Sequence, residues 1–314
     1  MPGKEPKPVL LVALGGNALI KKGQSGTIEE QFANLKVPLK QIAALSREHR
    51  VVITFGNGPQ VGNLLLQQEA GHGLPRLPLE ILVAQTQGWL GYMIESTLDS
   101  ELAELGLDLI KPLVSLISYV VVDPADPAFK EPSKPIGPVL SPETAANAGY
   151  PVRQTAKGFR RVVASPRPIT IVEKKEIQLL LEQDFMVICC GGGGIPVVRE
   201  GRGFSGVDAV IDKDLASARL ALEVGVEIFC IATDVPGVAL NYGQHDEKYL
   251  SELETARAAE FALEGQFPAG SMGPKVEACC SFLEEAGGRA FICSTNEIGL
   301  ALQGQAGTRF SKSL

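Results

Sequence analysis

The nine residues TFGNGPQVG, Thr54–Gly62, decide the fold. A β-branched apolar run, Val51–Phe55, stops at Gly-Asn-Gly, and a proline then opens the helix-like run Gln60–Glu69. Proline fits the first position of a helix, where its missing N–H group has no partner to lose. Glycines between a buried strand and a helix expose backbone N–H groups, which bind small anions. This stretch therefore predicts a strand–loop–helix unit that holds an anionic ligand.

The alternation of strand and helix continues along most of the 314 residues. The strand-length apolar runs are continuous, as in parallel strands that are covered on both faces. These runs are Val9–Leu14, Val51–Phe55, Met186–Cys190, Glu227–Ala232 and Arg289–Cys293. The helical segments are Thr27–His49, Pro59–Ala70, Leu79–Leu105, Glu173–Asp184, Asp212–Val224, Thr255–Glu264 and Pro274–Ala286. The pattern predicts an α/β fold, a three-layer αβα sandwich on a mainly parallel open sheet.

Two local features modify this pattern. Thr27 and Glu30 have the spacing of a capping box at the start of the first helix. Pro38 lies inside the same helical segment and is expected to kink or split it.

A proline-rich segment interrupts the alternation. Nine of the 21 prolines lie between Asp123 and Pro168, and helical periodicity is weak there. Apolar residues such as Phe129 and Ile136 remain, which favours an ordered insertion over a disordered linker. We expect a small protruding subdomain. The predicted division is a sandwich core of residues 1–120 and 160–314, with a lid of residues 121–159 inserted in it.

Composition argues against several classes of protein. The formal net charge is −7, so no basic surface for nucleic acid is predicted. No apolar run reaches transmembrane length, and the first residues lead almost directly into a strand, so we expect a cytoplasmic protein without membrane contact. The six cysteines form no C-x-x-C pair, which predicts buried reduced thiols rather than a zinc site.

Glycine-rich or turn sequences follow the predicted strands or precede a helix at several places. They are Gly15–Asn17, Gly56–Gly58, Gly191–Gly194, Thr233–Asp234, Gly270 and Gly273. The carboxyl ends of parallel strands meet at one edge of a sheet, where ligands bind. No G-x-x-x-x-G-K-[ST] sequence is present, and GNGPQVG is one residue longer than the dinucleotide fingerprint. A dinucleotide-dependent oxidoreductase stays open as an alternative.

Three lysines stand beside glycine, proline or aspartate turns: Lys134, Lys213 and Lys275. Each alone is compatible with a solvated surface lysine. Lys275 lies at a predicted helix start, however, where a cation opposes the helix dipole. Cations, backbone amides and an acidic residue such as Asp214 are together what phosphoryl transfer requires.

Nine stretches, in chain order, resemble the carbamate kinases of the amino acid kinase superfamily over nearly the whole chain. They are VALGGNAL, GNGPQVGNLLLQQ, QTQGWLGYMI, VVVDPADPAFKEPSKPIGP, FRRVVASPRP, CCGGGGIPVV, GVDAVIDKDLAS, NYGQHDEK and FPAGSMGPKVEA. The resemblance implies the amino acid kinase fold and reversible phosphoryl transfer between ATP and carbamate, giving ADP and carbamoyl phosphate, used to make ATP in arginine or purine breakdown. It also implies a homodimer built around a continuous sheet.

The resemblance further implies a role for each candidate residue. The groups that cradle the transferring phosphoryl group and the carbamate would be Gly15, Gly16, Asn17, Gly56, Asn57 and Gly58. The catalytic groups would be Lys134, Lys213 and Lys275, with Asp214 holding the lysines in place. The nucleotide site would include Thr233, Asp234, Tyr242, Met272, Gly273 and Lys275. Magnesium would be held mainly by the nucleotide phosphates, without a dedicated protein metal site.

The first strand has Ala13 where several sister kinases carry a lysine. We expect closure of the lid to supply that charge through Lys134. Two further alternatives remain open. One is a sibling kinase that acts on another small carboxylate, such as N-acetylglutamate, or on UMP. The other is a nucleotide sensor without catalysis, which the three lysines argue against.

Overall fold

The computed structural model describes residues 6–21, 23–71, 73, 75–155, 158–268 and 270–313, apart from the side chain of Asn17. Within these ranges an eight-stranded, mainly parallel sheet forms the centre of the fold. From edge to edge its strands are β15 (Glu252–Glu254), β17 (Thr308–Ser311), β16 (Arg289–Ser294), β12 (Ile228–Thr233), β1 (Val9–Leu14), β2 (Arg50–Phe55), β9 (Met186–Ile188) and β3 (Leu113–Ser115). All neighbouring strands pair in parallel except β16 and β17.

Helices cover both faces of this sheet. One face packs against α1 (Ile28–Leu45), α3 (Leu79–Glu104) and α9 (Ile298–Leu302). The other packs against α5 (Lys174–Glu182), α6 (Lys213–Glu223), α7 (Thr255–Leu263) and α8 (Met272–Ala286). Leu10 and Val12 of β1 join the first core, and Leu11 and Ala13 join the second, as expected when side chains alternate along a strand. The predicted three-layer αβα sandwich is confirmed.

Smaller sheets lie at the side of the sandwich. One contains β11 (Gly203–Gly206), β10 (Ile195–Glu200), β4 (Tyr119–Val122) and β8 (Pro168–Ile171). A second, which we call the lid sheet, contains β5 (Lys134–Leu140), β7 (Gly158–Val163) and β6 (Val152–Thr155), with α4 (Pro142–Ala146) between β5 and β6. The remaining elements are α2 (Gly58–Ala70), β13 (Ala239–Leu240), β14 (Lys248–Tyr249) and three 3₁₀ turns, Gly16–Ala18, Pro127–Phe129 and Gly191–Gly193. Strand β7 runs past residue 159, and the division into core and lid stays a prediction.

The start of α1 follows the sequence closely. Thr27 Oγ1 accepts a hydrogen bond from the N–H of Glu30 at 3.3 Å, and the Glu30 carboxylate accepts one from the N–H of Thr27 at 3.1 Å, so the predicted capping box is present. Pro38 does not split the helix, because α1 is continuous through it. Pro38 is buried in the helix face that packs on the core, and such packing supplies most of the stability of a helix in a protein.

The predicted strand Met186–Cys190 is two residues too long. Strand β9 ends at Ile188, because Cys190 adopts a left-handed conformation with φ 50° at the start of the Gly191–Gly193 turn. Five of the six cysteines are buried and all six are free thiols, as predicted. Within the described ranges, none of the helices has the length and apolar character to cross a membrane.

Candidate active site

An open cavity of about 660 Å³ lies between the carboxyl ends of β1, β2 and β12 and the lid sheet. Eleven of the predicted site residues line it: Gly15, Gly16, Gly56, Asn57, Gly58, Lys134, Lys213, Asp214, Thr233, Asp234 and Lys275. Lys134 comes from the lid sheet, and the other ten come from the sandwich. The glycine-rich loops and turns after the predicted parallel strands therefore meet at one cavity.

Asp214 lies at the centre of the charged groups. Its Oδ1 lies 2.6 Å from Lys213 Nζ, and its Oδ2 accepts a hydrogen bond from Lys275 Nζ at 2.8 Å. The Lys213 contact is an ion pair without an aligned hydrogen bond to Oδ1. Lys213 Nζ also donates to the carbonyl of Ala13 at 3.2 Å, so a cation reaches the end of the first strand from α6. Asp214 thus bridges two lysines from different helices, as expected of a residue that orients them.

Burial and neighbouring charges together determine the pKa values of Asp214, Lys213 and Lys275. Burial alone would raise the pKa of Asp214, but the charges of Lys213 and Lys275 hold it well below its usual range. Burial lowers the pKa of Lys213, and Asp214 only partly offsets that effect. For Lys275 the attraction to Asp214 exceeds the effect of burial and raises the pKa. Asp214 is therefore a carboxylate at neutral pH, and neither lysine is a solvated surface residue.

Asp212 connects the lid sheet to the same helix. Its Oδ1 caps α6 by accepting from the N–H of Asp214 at 2.9 Å and, less closely, from that of Leu215 at 3.4 Å. Its Oδ2 contacts Lys134 Nζ. The sequence analysis gave Asp212 only as the first residue of a predicted helical segment. One carboxylate thus fixes the N-terminus of α6 and holds the lid lysine over it.

Some predicted backbone donors are already occupied. The N–H of Gly56 donates to the carbonyl of Leu14 at 3.0 Å, and the N–H of Gly15 donates to that of Ala232 at 2.8 Å. The N–H of Gly56 is therefore not available to a substrate in this structure, contrary to what the resemblance implies for it. Gly56 is instead needed for close approach, since a Cβ there would lie 3.1 Å from the nitrogen of Gly16.

Other amides at the cavity are available. The N–H groups of Gly16, Asn57 and Gly58 have no acceptor in the described part of the chain. Asn57 is the residue before α2, and its side-chain amide donates to Thr86 Oγ1 at 2.8 Å. Gly192 packs so closely on that amide that a Cβ would lie 2.1 Å from Nδ2, and its φ of +67° also favours glycine. The Gly191–Gly193 turn thus holds Asn57 in place.

Of the other predicted residues, Met272, Gly273 and Tyr242 do not line the cavity. Met272 and Gly273 lie in the first turn of α8, next to Lys275, while the preceding Gly270 and Ser271 do line it. Tyr242 is exposed in the loop between β13 and β14. The backbone of Asn17 lies in the Gly16–Ala18 turn, and its side chain lies outside the described atoms.

The lid sheet reaches α2 through two glycines. A Cβ at Gly62 would lie 2.0 Å from the Cα of Gly137, so only glycine permits this approach of α2 to β5. Gly137 has φ +68° and lines the cavity. The contact sets the distance between the lid sheet and the amides at the start of α2.

Gly62→Ala is expected to lower the free energy of unfolding by about 1–3 kcal/mol, because the backbone of β5 must move. Activity should fall as well, since Lys134 begins the same strand. Gly88→Ala is the matched control: it lies in α3 with nothing within 4 Å of the added Cβ, so alanine should stabilise by about 0.5–1 kcal/mol. Urea unfolding and turnover of both variants check this, and equal stabilities would contradict the account.

Comparisons with known proteins are consistent with this geometry. The family model described as "Amino acid kinase family" matches residues 8–294. A carbamate kinase of Thermococcus kodakarensis is 47% identical over 310 residues, which cover 96% of this chain and 98% of that protein. The chain belongs to the carbamate kinases of the amino acid kinase family. Its predicted fold and family are therefore confirmed.

Other members of the family match at similar length. A carbamate kinase of Pyrococcus furiosus is 45% identical over 309 residues, 96% of this chain and 98% of that protein. The solved structure "Carbamate kinase from Giardia lamblia bound to AMP-PNP" is 38% identical, with a TM-score of 0.87 over 98% of this chain and 99% of that one. A member of this kinase family uses ATP or ADP as substrate.

Proposed function

We propose that this protein catalyses reversible phosphoryl transfer between ATP and carbamate, giving ADP and carbamoyl phosphate. The observation that carries the proposal is the meeting of Lys134, Lys213 and Lys275 around Asp212 and Asp214 in one cavity. The carbamate kinases at 45–47% identity support the acceptor. The Giardia lamblia relative bound to AMP-PNP, an ATP analogue, supports the nucleotide.

The mechanism follows from charge and position. Carbamate is already an anion, so no general base is needed to form the nucleophile. The amides of Asn57 and Gly58 would bind carbamate, and that of Gly16, with the Gly15–Asn17 turn, would bind the phosphoryl group in flight. The three lysines neutralise charge on the transferring oxygens, and Asp214 keeps Lys213 and Lys275 at fixed positions.

The nucleotide would lie on the side of the cavity formed by β12 and the start of α8. Thr233 and Asp234 line that side, with Lys275 next to them. Tyr242 lies close to Asp234 in the sequence, and Met272 and Gly273 lie close to Lys275. We propose that these three residues contact the nucleoside. Tyr242 has an exposed ring that could stack on the base.

Magnesium fits this site through the nucleotide rather than through the protein. Both cavity aspartates on α6 already contact lysines, and no cluster of three His, Cys, Asp or Glu side chains suited to a metal occurs among the described residues. The β- and γ-phosphates would supply its ligands, with water. The ion would neutralise part of the phosphate charge.

We further propose a cytoplasmic homodimer. Strand β3 is an edge of the central sheet, and Leu109, Ile110 and Ile117 beside it are exposed apolar side chains. Such an edge fits a dimer that continues the sheet. Six free thiols suit a reducing compartment. Light scattering after gel filtration tests the dimer: the mass of a single chain at micromolar concentration would contradict it.

The enzyme is expected to form ATP from ADP and carbamoyl phosphate in the presence of magnesium. ATP formation coupled to hexokinase measures this. Acetyl phosphate, N-acetylglutamyl phosphate and UDP are tested in separate reactions as alternative phosphoryl donors to ADP. NADH fluorescence in the presence of the protein tests the oxidoreductase alternative. NADH binding without ATP formation from carbamoyl phosphate would replace the proposed function with that alternative.

A further inference from the structure

Arg160 of β7 adds a guanidinium to the cavity that the sequence analysis did not single out. Its neighbour across the lid sheet is Arg153, and both side chains line the cavity. The adjacent Arg161 lies on the other face, where it contacts Glu69 and stacks on Tyr150 with 4.1 Å to the ring centroid. Alternation along the strand therefore directs Arg160 to the substrate side.

Arg160 lacks a counter-charge in the described part of the chain. Its Nη2 donates to the carbonyl of Gly137 at 2.5 Å, and its Nε is shielded from solvent without an acceptor there. Burial lowers the pKa of this guanidinium. A partly buried guanidinium with a donor that has no acceptor is unfavourable by itself, and an anion that enters the cavity relieves that cost.

The charged side chains that line the cavity also indicate that it binds an anion. Among the described residues, five basic and three acidic side chains line it, although the whole chain has a net charge of −7. Asp212 and Asp214 are already engaged by the three lysines. Arg153 and Arg160 are the lining cations that make no ion pair within the described residues. Positive charge therefore remains for a ligand on the lid side.

Arg160 lies toward the end of the cavity where the proposed function puts carbamate, the phosphoryl acceptor. It binds the carbonyl of Gly137, whose backbone packs on Gly62 in α2. Helix α2 begins one turn before Gly62, at Gly58. The backbone N–H groups of Gly58 and of the preceding Asn57 have no acceptor among the described residues. The proposed nucleotide side of the cavity, at Thr233 and the start of α8, is formed by elements other than β5, β7 and α2.

We propose that Arg160 is a specificity-determining residue that binds the carboxylate of carbamate and the carbonyl end of carbamoyl phosphate. This inference rests on the proposed function. A guanidinium presents two parallel N–H donors that match the two oxygens of a carboxylate. After phosphorylation the same donors face the carbonyl oxygen and the bridging oxygen. Binding of the acceptor at this point also explains why a cation without a carboxylate partner is held in the lid sheet.

The test is the kinetics of Arg160→Gln in both directions. The KM for carbamoyl phosphate and that for carbamate are expected to rise by about 10- to 100-fold, as when a charge-assisted hydrogen bond is lost. The KM for ADP should stay within about twofold of wild type, because the proposed nucleotide side, at β12 and the start of α8, is formed by other elements than β7. Arg160→Lys, which keeps the charge but not the fork, should give an intermediate rise and decides the question if the glutamine variant does not fold.

Arg161→Gln is the matched control, because it removes an arginine from the same strand without removing a cation from the cavity. Its KM for carbamoyl phosphate should stay within about threefold of wild type. Equal rises in both variants, an equal rise in the KM for ADP, or no change in Arg160→Gln would each overturn the inference. Wild-type protein that forms no ATP from carbamoyl phosphate would instead contradict the proposed function.

Discussion

Lys134→Ala is expected to lower kcat for ATP formation by about 10²- to 10³-fold, the usual effect of removing a preorganised donor to the transition state. Lys134 begins β5 and contacts Asp212, so the lid sheet already holds its ammonium at the cavity. The side chain is 25% exposed, and Asp212 keeps its hydrogen bonds to the start of α6 without it. The melting temperature should therefore change little.

Lys130→Ala is the matched control for Lys134→Ala. Lys130 is an exposed lysine four positions earlier in the same proline-rich segment, outside the cavity. Its removal should leave kcat near the wild-type value. Steady-state kinetics of both variants separates charge at the cavity from charge on the segment. A kcat for Lys134→Ala within about threefold of wild type would remove Lys134 from the mechanism.

Asp214→Asn is expected to damage both activity and stability. Asparagine cannot balance Lys213 and Lys275, which are buried, so two cations lose their counter-charge. Breaking a buried ion pair in this way typically costs about 3–5 kcal/mol in the free energy of unfolding. The lysines also lose their common anchor, so kcat should fall more than nucleotide affinity does.

The pH dependence of this loss has a definite sign. The pKa of Asp214 is lower in the folded protein than the ordinary value of 3.8. Its ion pairs therefore contribute fully above that ordinary value, and the contribution is lost as the pH falls below it. The difference in unfolding free energy between wild type and Asp214→Asn should be constant at neutral pH and shrink only in acid.

Asp208→Asn provides the control for Asp214→Asn. Asp208 lies in the same segment, and its Oδ1 accepts from the N–H of Leu79 at 3.0 Å, an acceptor that asparagine retains. Urea titrations from pH 3 to 8 and turnover at pH 7 compare the two variants. Equal stability and kcat in Asp214→Asn and wild type would show that Asp214 only decorates the start of a helix.

The local parts of the fold could be predicted from the sequence. Strands β1, β2, β9, β12 and β16 were all predicted from continuous apolar runs, and β1 at Val9–Leu14 has the predicted bounds. The edge strands β15 and β3, and β17 beside β15, were missed because each is only three or four residues long and pairs with a strand that is distant in the chain. Burial on both faces gives a signal in sequence, whereas a short edge strand gives almost none.

The site divides in the same way. Lysines beside turns could be recognised from residue type, but their partners could not. Asp212 is 78 residues from Lys134 in the chain, and only the three-dimensional structure shows their contact. The use of the Gly56 N–H by Leu14 depends on the register of β1 and β2. The direction of Arg160 depends on which face of β7 meets the cavity, which two adjacent arginines in a sequence do not reveal.

The central claim is that this cavity moves a phosphoryl group directly between carbamoyl phosphate and ADP. A single-turnover reaction of wild-type protein with carbamoyl phosphate labelled with phosphorus-32 and an excess of MgADP tests it most directly. The account predicts label in the γ-phosphate of ATP, formed as carbamoyl phosphate is consumed, and much slower label transfer in Lys134→Ala. Release of the label as inorganic phosphate without labelled ATP, or no consumption of carbamoyl phosphate, would contradict it.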